Sequence, residues 1–226
     1  AHYARHGSLA DVYHFDCTET LPALSFFDIR DQLAAGIDRA SAVEDVTDHY
    51  VDLLRGLMGR DRFDRAVRSP DIIRYLVKAG FDPIHGDDAY AHSDLQAAAA
   101  RMAETREPPG VSDPDLESLL GGVAANSKRS FDELMQGVAN RIEKVPVNHR
   151  LGQLFDHVPG DDDPQFDLLD VLNDDCVVIV DVGGLRPDTQ RALTLVLLSA
   201  LWGALKRRDR LSGDTRNPLV NLYVEE

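Results

Sequence analysis

Cys176-Val-Val-Ile-Val-Asp-Val-Gly-Gly-Leu185 carries the clearest fold signal in this sequence. It opens with an uninterrupted apolar run, mostly β-branched, which is typical of a strand in a parallel sheet covered on both faces. The pair Gly183-Gly184 predicts a tight turn, and Pro187 suits the first position of a helix that is apolar almost all round over Ala192–Leu205. A second apolar strand is predicted at Leu219–Val224. Strand, turn, buried helix and strand together form a βαβ crossover.

A further strand is predicted upstream at Asp11–Asp16, where apolar and polar residues alternate. The residues between these strands show apolar positions at helical spacing. Ser69-Pro70-Asp71 predicts a capped helix start, and Ser130–Glu133 matches a capping box. The predicted fold class is therefore α/β, with a parallel sheet interrupted by a large all-helical insertion. The predicted boundaries are 1–40 for the first part of the core, 41–150 for the insertion and 151–226 for the second part.

The charge balance is strongly acidic, with 39 acidic against 24 basic residues and a formal net charge of -15. Asp outnumbers Glu by 30 to 9, and Arg outnumbers Lys by 20 to 4. Short, strongly hydrated carboxylates in place of lysine indicate adaptation to a salty cytoplasm, although an ordinary acidic protein is the alternative. Net acidity normally argues against nucleic-acid binding. In a halophile every protein is acidic, so the charge does not decide the partner.

Cysteine use and hydropathy predict a soluble, cytoplasmic protein. Cys17 and Cys176 are the only cysteines, which is too few for a disulfide framework, and reduced buried thiols are expected. The start of the sequence does not match a signal peptide. The longest apolar segment, Ala192–Leu205, is shorter than the ~20 residues that span a bilayer.

The strongest functional motif is the acid pair Glu225-Glu226, which directly follows the predicted strand Leu219–Val224. ATPases of the P-loop type place an acid at the end of a buried strand to hold Mg²⁺, and in one subclass a neighbouring acid polarises the attacking water. The segment Leu219–Glu226 has this form, which would make Glu225, in a position where Asp is more usual, the magnesium ligand and Glu226 the catalytic residue. Taken alone, a solvated acidic strand end is the favoured interpretation, because such pairs are common.

Asp181-Val-Gly-Gly184 has the D-x-x-G form with which small GTPases bind Mg²⁺ and the γ-phosphate. None of the four lysines lies in a guanine-specifying motif, so a tight turn is the favoured interpretation of the two glycines. The sequence contains neither G-x-x-x-x-G-K-[ST] nor G-x-G-x-x-G. The histidines do not pair with Cys or Glu at metal-ligand spacing.

The chain resembles the motor domain of conjugation and type IV secretion ATPases of the HerA/FtsK superfamily. The resemblance is carried by Arg150–Phe155, by Val177–Leu185 with its D-x-x-x-L segment, by the long helix, and by Leu219–Glu226. Three other segments resemble the version carried by haloarchaeal mobile elements: Phe15–Glu19, Phe26–Arg30 and Ser69–Ile73.

The resemblance implies an incomplete RecA-like sheet that binds ATP and Mg²⁺. By position, Asp181 and Glu225 would contact the cofactor and Glu226 would activate water. It also implies a homo-hexamer acting on DNA or within a secretion or conjugation complex, cytoplasmic or peripheral to the membrane. The phosphate loop of such motors precedes the first strand, so we expect an internal fragment of a larger ATPase that is inactive alone. The alternative is a non-enzymatic interaction module built on the helices at 41–150.

Overall fold

The computed structural model describes residues 12–21, 24–59, 61, 63, 68–86, 88–145, 149–160, 166, 168–173, 176–212 and 219–224. The described chain is mostly helical, with one small parallel sheet. Its strands are β1 (Val12–Asp16) and β2 (Val177–Asp181). Its helices are α1 (Arg30–Ala34), α2 (Arg39–Met58), α3 (Ser69–Gly80), α4 (His92–Thr105), α5 (Pro114–Ala124), α6 (Lys128–Ile142), α7 (His149–Phe155), α8 (Leu168–Asn173) and α9 (Pro187–Ser212).

The sheet is a parallel ladder of β1 and β2 in which Val12 pairs with Val177 and Asp16 with Asp181. Two of the three predicted strands and their parallel arrangement are therefore confirmed. Paired residues of a parallel ladder project from the same face. One face carries Phe15 and packs against the core, whereas the opposite face leaves Ile179 44% exposed. The expectation that both faces are covered is wrong for the described residues.

The predicted strand at Leu219–Val224 is not formed. These residues are outside any ladder, and Leu219 and Tyr223 are 86% and 85% exposed. The apolar pattern was sufficient to predict a strand, but a strand is stable only where a neighbouring strand pairs with its N–H and C=O groups. No described residue provides that pairing for this segment.

Helix α9 confirms the predicted helix after the Gly-Gly turn and extends it to Ser212. Its apolar composition predicted that it would be buried on most sides, and this prediction is wrong. Ala192 and Val196 are buried against the core, but Leu198 and Trp202 on the other side are 37% and 58% exposed. Neither α9 nor any other described helix is long and apolar enough to cross a membrane.

Two predicted helix starts differ in detail from the structure. Ser69 is the first residue of α3 and is buried, while Arg68 occupies the cap position without a side-chain cap. The Ser69 hydroxyl lies against Gly137 of α6: a Cβ added to Gly137 would be 2.5 Å from Ser69 Oγ. Helix α6 begins at Lys128, before the predicted capping box, because the Ser127 side chain accepts the cap hydrogen bond.

A single hydrophobic core connects all three predicted parts of the chain. An aromatic cluster lies at its centre, in which the Phe27 ring stacks on Tyr90 at 4.8 Å and the Phe26 ring lies 4.5 Å from Phe155. Phe26 and Phe27 precede α1, Tyr90 belongs to the helical region and Phe155 ends α7. The helices at 41–150 are therefore packed into the same core as the segments that flank them.

Helices α2 and α9 make the main contact between the helical region and the segment after β2. They approach closely at Gly56, where an added Cβ would lie 2.5 Å from Leu195 Cδ1. An ion pair between Lys206 and Asp45 joins the same two helices farther along. The absence of a side chain at Gly56 is what allows this close approach.

A buried hydrogen bond within the aromatic cluster joins the Tyr50 hydroxyl to His92 Nε2 at 2.7 Å. His92 is 1% exposed, and its burial lowers its pKa from 6.5 to about 4, against a weaker opposite effect of Asp156. The imidazole is therefore neutral in the folded protein at neutral pH. The unfolded chain binds a proton at this residue at a higher pH than the folded chain does, so acid favours unfolding.

We predict that stability falls as the pH drops from 6.5 towards 4 because of His92. The free energy of unfolding should decrease by roughly 3 kcal/mol more in the wild type than in a His92→Gln variant between pH 7 and pH 4. Glutamine can accept the hydrogen bond from Tyr50 without titrating. Urea unfolding of both proteins across this range measures the difference, and parallel pH profiles would show that His92 does not contribute.

Candidate functional site

The carboxyl-terminal edge of the sheet brings together two carboxylates. Each strand ends on an aspartate, and Asp16 of β1 is the register partner of Asp181 of β2. In a parallel pair the carboxyl ends of both strands lie at the same edge, and ligands of α/β proteins bind preferentially there. This edge is therefore the candidate functional site.

The turn after β1 is organised by Asp16. Its Oδ1 accepts hydrogen bonds from the Thr18 backbone N–H at 2.9 Å and from the Thr18 hydroxyl at 2.6 Å. The Cys17 N–H donates to the Asp181 carbonyl at 2.9 Å and extends the ladder past the last pair. These bonds hold the Asp16 carboxylate at the sheet edge with one oxygen directed into the turn.

The turn after β2 has the same type of organisation. Asp181 Oδ1 accepts from the Gly183 N–H at 2.9 Å, and the Leu185 N–H donates to the Val182 carbonyl at 3.0 Å. The Gln190 side chain in the first turn of α9 donates to the same carbonyl at 3.0 Å. The tight turn that was predicted for the two glycines is confirmed, and it connects the strand directly to α9.

The two turns touch at Gly184. A Cβ at this position would lie 2.4 Å from Thr18 Cγ2, which is closer than any real side-chain contact. Glycine is therefore required here by the approach of the two turns. The contact keeps the segments after β1 and β2 side by side and thereby keeps both aspartates at one edge.

The chemistry available at this edge is that of carboxylate oxygens. Mg²⁺ in phosphate-binding sites is commonly held by one or two carboxylates together with water and phosphate oxygens, and Asp16 and Asp181 fit such a donor set. Among the described residues no group of three or more His, Cys, Asp or Glu side chains could hold a metal ion.

Of the three predicted site residues, the structure describes only Asp181. Asp181 lies at the sheet edge, as the strand-and-turn pattern implied. Glu225 and Glu226 lie outside the described residues, so their predicted roles stay predictions. Asp16 was not predicted as a site residue. The signal that could have identified it is the Asp-x-Thr turn at the end of β1, which parallels the Asp-x-Gly turn at the end of β2.

Comparisons of the chain with protein-family models, curated proteins and solved structures gave no match.

We predict that Gly184→Ala destabilises the sheet edge. The new methyl group collides with Thr18, and we expect a loss of about 1–3 kcal/mol in the free energy of unfolding, measured by urea denaturation. Adding Thr18→Ser should restore most of this loss, because serine lacks Cγ2 but keeps the hydroxyl that bonds Asp16.

Gly122→Ala in α5 is the matched control. A Cβ there meets no atom within 4 Å, so alanine should stabilise the helix by ~0.5–1 kcal/mol relative to glycine. If Gly184→Ala lowers the free energy of unfolding no more than Gly122→Ala does, the contact between the two turns does not require a glycine at position 184.

Proposed function

We propose that this chain is part of a P-loop-type ATPase, an ATP-driven motor for DNA transfer or type IV secretion. The observation that supports the proposal is the β1–β2 ladder. Two parallel strands end on register-paired aspartates, and the second leads through a Gly-Gly turn into the long helix α9. Nucleotide-binding α/β proteins use this edge of a parallel sheet for phosphate and magnesium.

In the proposed site, Asp181 and Glu225 would contribute carboxylate oxygens towards Mg²⁺, and Asp16 lies next to Asp181 as its register partner. Bound Mg²⁺ supplies charge stabilisation to the transferring phosphoryl group. Glu226 acts on the attacking water: its carboxylate accepts a hydrogen bond from the water and orients it for attack on the terminal phosphate. The fold proposed for the complete protein is a RecA-like sheet with the helical residues 41–150 as an insertion.

Two features of the small sheet are consistent with a larger RecA-like sheet. Strands β1 and β2 pair with each other and with no other described strand, so each has an edge available for pairing. Their exposed face carries Val177 and Ile179, which are 37% and 44% exposed. Parallel sheets are normally covered on both faces, so an apolar open face favours a further layer. A homo-hexamer is proposed on the resemblance alone.

A second candidate function, a non-enzymatic interaction module, is favoured by a cleft in the helical region. The cleft lies between α3, α4 and the segment 107–110 and has a volume of about 450 Å³, within the usual range of binding sites. It is lined by small and apolar residues together with His85, Tyr90, Asp94, Arg101 and Glu107. A partner segment bound there would need no contribution from the sheet edge.

We predict that Glu226→Gln in the complete protein abolishes ATP turnover while nucleotide binding persists. The amide keeps the size of the side chain but cannot accept the proton or orient the water as a carboxylate does, so a loss of at least about 100-fold in kcat is expected. Steady-state phosphate release and a fluorescent-nucleotide binding assay measure the two quantities separately.

Glu104→Gln on the exposed side of α4 is the control, because it removes the same charge away from the sheet edge. Its turnover should equal that of the wild type. Equal turnover in the Glu226→Gln variant would remove Glu226 from catalysis and favour the interaction module.

A further inference from the structure

One long side of α9 faces away from the core. Six of its side chains recur at alternating spacings of four and three residues, which places them in one narrow stripe along the helix. The stripe consists of Arg191, Leu195, Leu198, Trp202, Leu205 and Asp209. Its members are exposed or half-buried, whereas Leu193 and Ala204 on the opposite side of the helix are buried.

The centre of this stripe is apolar. Leu198 and Trp202 are exposed there, and Trp202 is the only tryptophan of the chain. Leu195 and Leu205, which are half-buried, continue the apolar part by about one turn in each direction. Apolar residues at this spacing form the seam of a two-stranded coiled coil, so a second helix is the kind of partner that fits the stripe.

The two ends of the stripe carry opposite charges. Arg191 and Asp209 are exposed, and neither belongs to a salt bridge among the described residues. Lys206 and Arg207 of the same helix, in contrast, pair with aspartates of α2 and α1. Because Arg191 and Asp209 are 18 residues apart, roughly 27 Å along the helix, they are too far apart to pair with each other within one copy.

The stripe is complementary to itself in the antiparallel direction. If two copies of α9 pack antiparallel about a two-fold axis at the level of Ala200, residues at equal distances on either side of Ala200 lie opposite each other. The facing pairs are then Leu198 with Trp202, Leu195 with Leu205, and Arg191 with Asp209. A parallel arrangement in the same register would instead place like charges opposite each other at both ends of the helix.

We propose that this stripe is a homodimer interface, in which two copies of the chain pack α9 against α9 in antiparallel orientation. The apolar centre supplies most of the binding energy, and the two Arg191–Asp209 pairs set the direction and the register. A two-fold contact of this kind closes at two copies, so it is distinct from a contact that builds a ring. The inference is independent of the proposed ATPase function, because it rests on the outer side of α9 alone.

The test is sedimentation velocity of the full 226-residue chain over a dilution series. A contact made by one helix from each copy is at the small end of specific interfaces, so we expect a dissociation constant of roughly 1–100 μM. The fluorescence of Trp202 reports the same event, because dimerisation removes the only tryptophan from water. Its emission should move to shorter wavelength as the concentration rises, with the midpoint found by sedimentation.

Trp202→Ala should weaken the dimer at least ~100-fold, because the side chain is removed twice in each dimer and large buried aromatics dominate interface energies. Its far-UV circular dichroism should match that of the unsubstituted monomer, since Trp202 is exposed in one copy. Leu119→Ala, which shortens an exposed apolar side chain on α5, is the matched control and should leave the dissociation constant unchanged.

A charge exchange tests the antiparallel register. Arg191→Asp and Asp209→Arg each place like charges opposite each other, and each should weaken the dimer about tenfold at low salt. The combined variant restores both pairs with the charges exchanged, and its dissociation constant should return to within about threefold of the original. Both substitutions suit the helix dipole, so the fold of the single chain is preserved. These variants decide the question even if Trp202→Ala fails to fold.

Three results would overturn the proposal. The first is a chain that stays monomeric at concentrations up to about 1 mM. The second is an assembly of any size that Trp202→Ala leaves intact, because its interface would then lie elsewhere. The third is a combined charge variant that associates no better than the single variants, because Arg191 and Asp209 would then not face each other.

Discussion

The packing of α9 against α2 holds the two ends of the described chain to the helical region between them. It joins the helix that leaves the sheet to the helix that begins the helical region, through the close approach at Gly56 and the Lys206–Asp45 ion pair. The Gly-Gly turn fixes where α9 begins relative to the sheet edge. A displacement of α9 would therefore disturb the carboxylate edge.

The carboxylates at the sheet edge are held by hydrogen bonds from their own turns. Asp16 Oδ1 accepts from the Thr18 N–H and hydroxyl, and Asp181 Oδ1 accepts from the Gly183 N–H. The positions of both carboxylates therefore depend on the two turns, which meet at Gly184.

Local sequence signals predicted much of the fold but little of the packing. The parallel strands, the Gly-Gly turn and the start of α9 at Pro187 follow from patterns within a few residues of each other. The exposure of Trp202 and the unpaired segment 219–224 could not be predicted, because they depend on which elements are neighbours. The same limit applies to the site: Asp181 was predicted from the motif that contains it, whereas the pairing of Asp16 with Asp181 depends on a strand register that local patterns do not show.

The separation of β1 and β2 along the chain has a consequence for folding. The pairing of β1 with β2 closes a loop that contains every residue between Asp16 and Val177. For a loop of this length, the part of the entropic cost of closure that depends on length is about 4–5 kcal/mol. The helices from α3 to α6 contact near neighbours in sequence and can assemble quickly. The ladder is thus among the contacts that join residues farthest apart in the described sequence. Its formation is expected to limit the folding rate, and the helical region shortens the search by folding first.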